Sequence, residues 1–164
     1  MQMSIYSVDK LVEEARRLAR EYRDATGKTL PITAEIAIND AVRLLKLTPA
    51  KNDEPGFDAA IDHRGEVLKV QIKGRAIFNE SKSGHKLGQL KTEQPWDAVI
   101  LVIMDAQFES VEMYMAYRDE ILENIRESKS KKGSISVARF KNIGQLIWTR
   151  ENGTEDDGYW TNVG

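Results

Sequence analysis

Apolar and polar positions follow two different periods along the chain, and the change falls near residue 50. Val8, Leu11, Val12, Ala15, Leu18, Ala19 and Tyr22 recur at i, i+3, i+4 and i+7. That spacing predicts an amphipathic helix, with Ser7 as its N-cap and Gly27 as its stop. A second helix is expected from a Thr33 cap to about Lys46, carrying Ile36, Val42 and Leu45, with Pro49 ending it. After the turn-forming KNDEPG, the period shortens to two. Phe57 to His63 and Glu66 to Lys73 flank Arg64-Gly65, a two-residue hairpin loop with glycine second.

That loop length fixes a register in which facing residue numbers add to 129, so Asp58 faces Gln71. Phe57, Ala59, Ile61, Leu68, Val70 and Ile72 are then expected on one face. Asp58, Asp62, Lys69, Gln71 and Lys73 are expected on the other. A long charged loop is expected from Gly74 to Gln94, of a length usually functional or mobile. Beyond it, Asp97 to Met104 reads as a buried central strand. Ser110 to Tyr117 reads as a strand with Val111, Met113, Met115 and Tyr117 inward, and Arg118 to Ser128 as a helix. A lysine-rich turn follows, then a short helix from a Ser136 cap to Ile143, and a last strand QLIWT. The order describes an α/β fold bordering on α+β, a mixed central sheet flanked by helices. We expect one domain over residues 1–150, with its N-terminal helix at about 7–26 and its core at about 33–149. Residues 151–164 read as a loosely held tail.

Composition narrows the chemistry. The 164 residues contain no cysteine, which removes disulfides, thiolate nucleophiles and cysteine-based zinc sites, and only His63 and His85 can act as imidazoles. No G-x-S-x-G elbow and no phosphate-cradling glycine loop occurs. The longest apolar run, Ala98 to Met104, is too short to span a bilayer. The first residues lack a cationic stretch followed by an apolar one, so no secretory signal is expected and the protein is expected in the cytoplasm.

The net charge of −2 conceals two basic segments. Lys69, Lys73, Arg75, Lys82, Lys86 and Lys91 stand against Glu80 alone, a local charge of +5. Arg126, Lys129, Lys131, Lys132, Arg139 and Lys141 stand against Glu127 alone, again +5, which leaves −12 for the rest. Such segments can form a phosphate-binding face in an acidic protein, because counterion release depends on the patch. Solvated lysine-rich loops are the plainer alternative.

On the polar hairpin face, the Asp58 carboxylate stands opposite the Gln71 amide oxygen. Cross-strand neighbours are close enough for the two oxygens to share one hard cation, which suits magnesium and not zinc. Lys73 lies one step along the same face, where it can orient a water or offset developing charge on a phosphoryl group.

At these residues the chain resembles the restriction-endonuclease-like PD-(D/E)XK nuclease superfamily, whose signature is an aspartate on one strand and an acidic residue, any residue and lysine on the next. The match is G-F-D (Gly56, Phe57, Asp58) followed by Q-I-K-G (Gln71, Ile72, Lys73, Gly74). Glu35, in TAEIAIND, takes the place of the glutamate that many members supply from the preceding helix. The resemblance covers roughly Thr33 to Asp105. It implies a restriction-endonuclease-like core with an added N-terminal helix, and a metal-dependent nuclease acting on DNA, with RNA left open as a substrate. It also implies Mg²⁺ or Mn²⁺ held by Glu35, Asp58, Gln71 and the Ile72 backbone carbonyl, with Lys73 positioning the nucleophile. Arg75, Lys82, Lys86, Lys91, Lys129, Lys131, Lys132 and Arg139 would track the phosphate backbone. Two departures stand out: Phe57 replaces the proline that usually precedes the aspartate, and Gln71 replaces the usual acid, which lowers the charge of the site. Cutting both strands of a duplex usually takes two sites, which a homodimer would supply.

Each residue also has a plainer reading. Asp58 and Lys73 can form a cross-strand ion pair on a solvated face, and Glu35 can serve only its helix N-terminus. Asp62, Glu66 and His85 read as solvated, and Met113, Met115, Trp96 and Trp148 as core. The functional alternative is a non-catalytic nucleic-acid- or partner-binding module on the same fold.

Overall fold

The computed structural model describes residues 7–30, 32–51, 54, 56–77, 86–90, 92–127 and 134–155. Helix α1 (Val8–Thr26) is capped as its sequence requires: Ser7 Oγ accepts the Lys10 amide at 3.2 Å, and Gly27 closes the end at φ 75°. Helix α2 (Thr33–Leu45) starts differently from expectation. Ile32 holds the N-cap position without a side-chain bond, and Thr33, already helical, donates its hydroxyl to Leu30 O. The helix ends at Lys46, left-handed at φ 56°, and Pro49 instead lies in the short strand β1 (Thr48–Pro49). An edge strand tolerates the missing proline N–H.

Strands β2 (Ala59–His63) and β3 (Glu66–Ala76) pair antiparallel from Ala59↔Val70 to His63↔Glu66, the register with numbers adding to 129. Arg64 and Gly65 both take positive φ, 55° and 80°, as a type I′ turn demands. Strand β3 outruns β2 and pairs parallel with β5 (Ala98–Met104), buried at every residue. Strands β6 (Ser110–Tyr117), β8 (Gln145–Thr149) and β9 (Gly153–Thr154) extend the sheet antiparallel, giving the order β1-β2-β3-β5-β6-β8-β9. β9 occupies the start of the expected tail. Helix α3 (Arg118–Glu127) follows β6, and α4 (Val137–Ile143) precedes β8, capped by Ser136 Oγ on the Arg139 amide. Two strands absent from the sequence reading, β4 (Lys86–Gln89) and β7 (Ser134–Ser136), pair as a separate ribbon. The expected loop from Gly74 to Gln94 is therefore part strand.

The sheet has a core on each face, which makes this an α/β fold. On one face α1 and α2 cover Ala59, Ile61, Val70, Ile72, Ile100, Val102, Met113 and Met115. On the other, Leu87 and Leu90 of the β4 segment, Ile135, Ile121 and Phe140 cover Val99, Leu101 and Ile103, with Trp96 beside them. Trp96 and Trp148 are buried, as expected.

Two facings differ from expectation, those of Phe57 and of helix α1. Phe57 packs with the second core, away from Ala59 and Ile61, because the chain bends at Gly56 to Asp58 before the ladder begins. Tyr117 keeps the expected face, paired with Ala98 and with its hydroxyl 2.8 Å from His63 Nδ1, but it is exposed at the end of its strand. In α1 the residues turned inward are Val12, Arg16 and Ala19, while Val8, Leu11, Leu18 and Tyr22 face solvent. Arg16 decides that rotation. It is 1% exposed, bonded twice to the equally buried Asp40 at 2.7 and 2.8 Å, and its Nε donates to Phe108 O. Among the described residues no helix is long and apolar enough to cross a membrane.

Candidate metal and phosphodiester site

The candidate site lies where β2 ends and β3 continues alone. Asp58 is the last residue before β2, and its backbone is held on both sides. Its N–H donates to Val70 O at 2.8 Å, and its carbonyl accepts the Ala50 amide at 3.0 Å. Carboxylate oxygen Oδ2 then accepts the Ile72 N–H at 2.8 Å, so the side chain takes the place in the ladder that β2 has vacated. The other oxygen, Oδ1, has no hydrogen-bond partner among the described residues. Because the Ile72 N–H points away from β5, its carbonyl points to the same vacated side.

Gln71 is 8% exposed. Its Nε2 donates to Gly56 O at 3.1 Å, and its Oε1 is buried with no partner. Gly56 is itself constrained: it sits at φ 91°, and a Cβ there would lie 2.5 Å from Pro95 Cδ. The glycine of G-F-D therefore presents its carbonyl to Gln71 from a conformation that other residues rarely adopt. The 92–96 segment behind it is pinned by Arg118, which donates to Gln94 O and Trp96 O at 2.8 Å each. The Arg118 guanidinium also lies 4.5 Å from the Trp96 ring centroid. Sequence reasoning missed Arg118 as a positioning residue, because nothing local ties a helix-start arginine to a loop twenty-odd residues earlier.

In the parallel register Gln71, Lys73 and Arg75 stand beside Val99, Leu101 and Ile103, so they share the face covered by the β4–β7 ribbon. Lys73 is half-buried there. Arg75 Nε donates to Lys86 O and its Nη1 to Gly74 O at 2.6 Å, tying the ribbon to the strand that carries Gln71. Burial holds the Arg75 pKa below its ordinary value. The ribbon pairs Lys86 with Ser136 and Gln89 with Ser134, which joins the two basic segments directly. Lys86 and Arg139 are exposed, with Arg139 Nε bonded to Asn124 Oδ1 at 2.7 Å. Lys82, Lys91, Lys129, Lys131, Lys132 and His85 lie outside the described residues.

Glu35 is not brought to this cluster. It is exposed on the first turn of α2, where Ile36 and Ala37 face the sheet, and α2 covers the face opposite Gln71 and Lys73. Its carboxylate makes no hydrogen bond or ion pair among the described residues. Gly74 brings α2 close: a Cβ at this position would lie 2.6 Å from Ala37 Cβ.

The candidate donors are Asp58 Oδ1 and the Ile72 carbonyl at the vacated edge and the Gln71 amide oxygen on the ribbon-covered face of the same strand. All are hard oxygens, and one is buried without a partner. This set fits Mg²⁺ or Mn²⁺ held with several waters, at an affinity limited by its single carboxylate. No family model matches the chain, and no curated protein matches it.

Proposed function

We propose that this protein is a metal-dependent nuclease that hydrolyses phosphodiester bonds in DNA, on a restriction-endonuclease-like core. The observation that carries the reading is the buried, unpartnered Oε1 of Gln71, one residue before the Ile72 amide that fixes the Asp58 carboxylate. An orphaned buried acceptor costs about 1–3 kcal/mol, and a cation removes that cost.

Asp58, Gln71 and the Ile72 carbonyl would hold Mg²⁺ or Mn²⁺, which when bound supplies Lewis-acid polarisation of a phosphoryl oxygen and a more acidic water. The residues of the chain do the rest. Asp58 contributes the one full negative charge, Gln71 orients its oxygen through the bond from its Nε2 to Gly56, and Lys73 positions the attacking water and offsets charge developing on phosphorus. Water adds to phosphorus, losing one proton to solvent, and one ester P–O bond breaks, its oxygen leaving with a proton from solvent. Lys86 and Arg139, with the lysines flanking the ribbon, would contact the backbone of the substrate.

The non-catalytic binding module is the second reading. It is favoured by the amide at Gln71 and by Glu35 facing away. Incubating plasmid, branched and single-stranded DNA with the protein in Mn²⁺, Mg²⁺ or EDTA separates the two. Cleavage that needs metal and falls at least ~100-fold in Asp58→Ala and Lys73→Ala, with DNA binding retained, is the expected result. Cleavage unaffected by EDTA, or equal in Asp58→Ala, would overturn the assignment.

A further inference from the structure

Helix α1 carries two apolar stripes and the fold covers one. Val12 and Ala19 pack inward with Arg16, while Val8, Leu11, Leu18 and Tyr22 remain 61%, 53%, 51% and 37% exposed, with Ala15 half-buried between them. Residues 8, 11, 15, 18 and 22 are spaced 3, 4, 3, 4, the a/d seam by which one helix packs against another. Scattered exposed apolar residues need no explanation, but a continuous seam over four turns does.

The flank of the seam indicates which helix. Lys10, Glu14, Arg17 and Glu21 run along its solvent side with charges alternating plus, minus, plus, minus. Within α1, Arg17 already bonds Glu14 at 3.0 Å and Glu21 at 3.1 Å, so the row is ordered. A second copy laid parallel puts the two charged rows on opposite sides of the seam, where they face the Val12 and Ala19 flank and gain no partner. A second copy laid antiparallel, with its two-fold near Ala15, sets Lys10 beside Glu21 of the other helix and Glu14 beside Arg17. The seam obeys the same symmetry. Val8 meets Tyr22, Leu11 meets Leu18, and the smallest side chain, Ala15, stands at the crossing, where the helices approach most closely.

We infer that α1 is a homodimerisation surface, with two copies of this chain packed antiparallel about a two-fold axis near Ala15. The inference does not depend on the nuclease reading. A seam of this size is small for a protein interface, so the dimer is a weak one, with a dissociation constant on the order of 10–100 µM.

Sedimentation velocity of the full chain, from about 5 to 500 µM, should show monomer passing to dimer. Leu11→Glu with Leu18→Glu changes only exposed positions and should leave a monomer throughout, with an unaltered circular dichroism spectrum. Lys10→Glu should weaken the dimer about tenfold, since symmetry creates two like-charge contacts, and adding Glu21→Lys should restore it. This charge pair carries the test should the leucine variant fail to fold. Orientation follows from cross-linking, because the chain has no cysteine. Ala15→Cys should oxidise to a covalent dimer. Val8→Cys should not do so alone, but should when mixed with Tyr22→Cys. A wild-type monomer at every concentration overturns the inference, whatever else then covers the seam. A dimer indifferent to the leucine and charge changes, or ready self-cross-linking of Val8→Cys, overturns it equally.

Discussion

Replacing Gln71 by glutamate tests the site through stability, independently of any DNA substrate. The side chain is 8% exposed and its Nε2 donates to Gly56 O at 3.1 Å. An ionised glutamate loses that donor, sets an acceptor against a carbonyl, and adds charge to a buried place. The lost bond contributes about 1 kcal/mol, and confronting acceptors plus burial of charge add about 1–3 more. The metal-free variant should therefore be about 2–4 kcal/mol less stable than wild type. For a chain of this size that is a fall of about 4–16 °C in melting temperature. With Mn²⁺ the second carboxylate becomes an asset, and at about 100 times Kd the ion returns about 2.7 kcal/mol. Thermal melts followed by circular dichroism, in EDTA and across a Mn²⁺ series, measure both halves. The expected pattern is a deep loss in EDTA and a larger metal-induced rise for the variant than for wild type. A variant as stable as wild type in EDTA, or a loss that Mn²⁺ leaves untouched, refutes the reasoning.

Asp40→Ala strands the buried Arg16 guanidinium and removes the acceptor of the Ser110 hydroxyl, so urea denaturation should show a loss of about 3–5 kcal/mol. Gly74→Ala forces a Cβ against Ala37 and should cost about 1–3 kcal/mol, part of which Ala37→Gly recovers in the double variant, a non-additivity read from the same urea curves. Partial burial works to raise the Asp105 pKa, but Arg150 at 2.7 Å and the Glu109 and Gln107 amides outweigh it and hold it below the ordinary carboxylate value. A depressed folded-state pKa contributes stability above the unfolded value near 4 and loses it as pH falls through the folded one. The gap between wild type and Asp105→Asn should thus be full at pH 7 and shrink below about pH 4, as melting temperatures across pH will show.

The first hairpin was legible because a two-residue loop with glycine second admits one register, and alternation then assigns the faces. The assignment failed at Phe57, where Gly56 breaks the pleat: alternation extends only as far as the ladder. The ribbon of β4 and β7 was illegible for a different reason. Its strands, four and three residues long, are too short to show a period, and they meet across some fifty residues of chain. Helix α1 was legible as a helix but not in its rotation, since two apolar stripes compete for the core. The choice rests on Asp40, which lies on another element and draws Arg16 inward.

The same limit bears on the site. Counted as charges in a motif, Gln71 reads as a weakened acid, and the second reading of the function starts from that deficit. The structure gives the amide a task that a carboxylate cannot perform: it donates to the Gly56 carbonyl and offers an acceptor at once. The glycine of G-F-D and the glutamine of Q-I-K are thus a matched donor and acceptor, one strand apart, and the glutamine is fitted to its neighbour. A binding module with no use for a cation gains nothing from leaving Oε1 buried and unpaired. A methionine of similar length would remove that unpaired acceptor at the expense of one neutral hydrogen bond. The orphan oxygen, one residue before the amide that holds the Asp58 carboxylate, is the ground on which we propose metal chemistry at this edge over simple attachment.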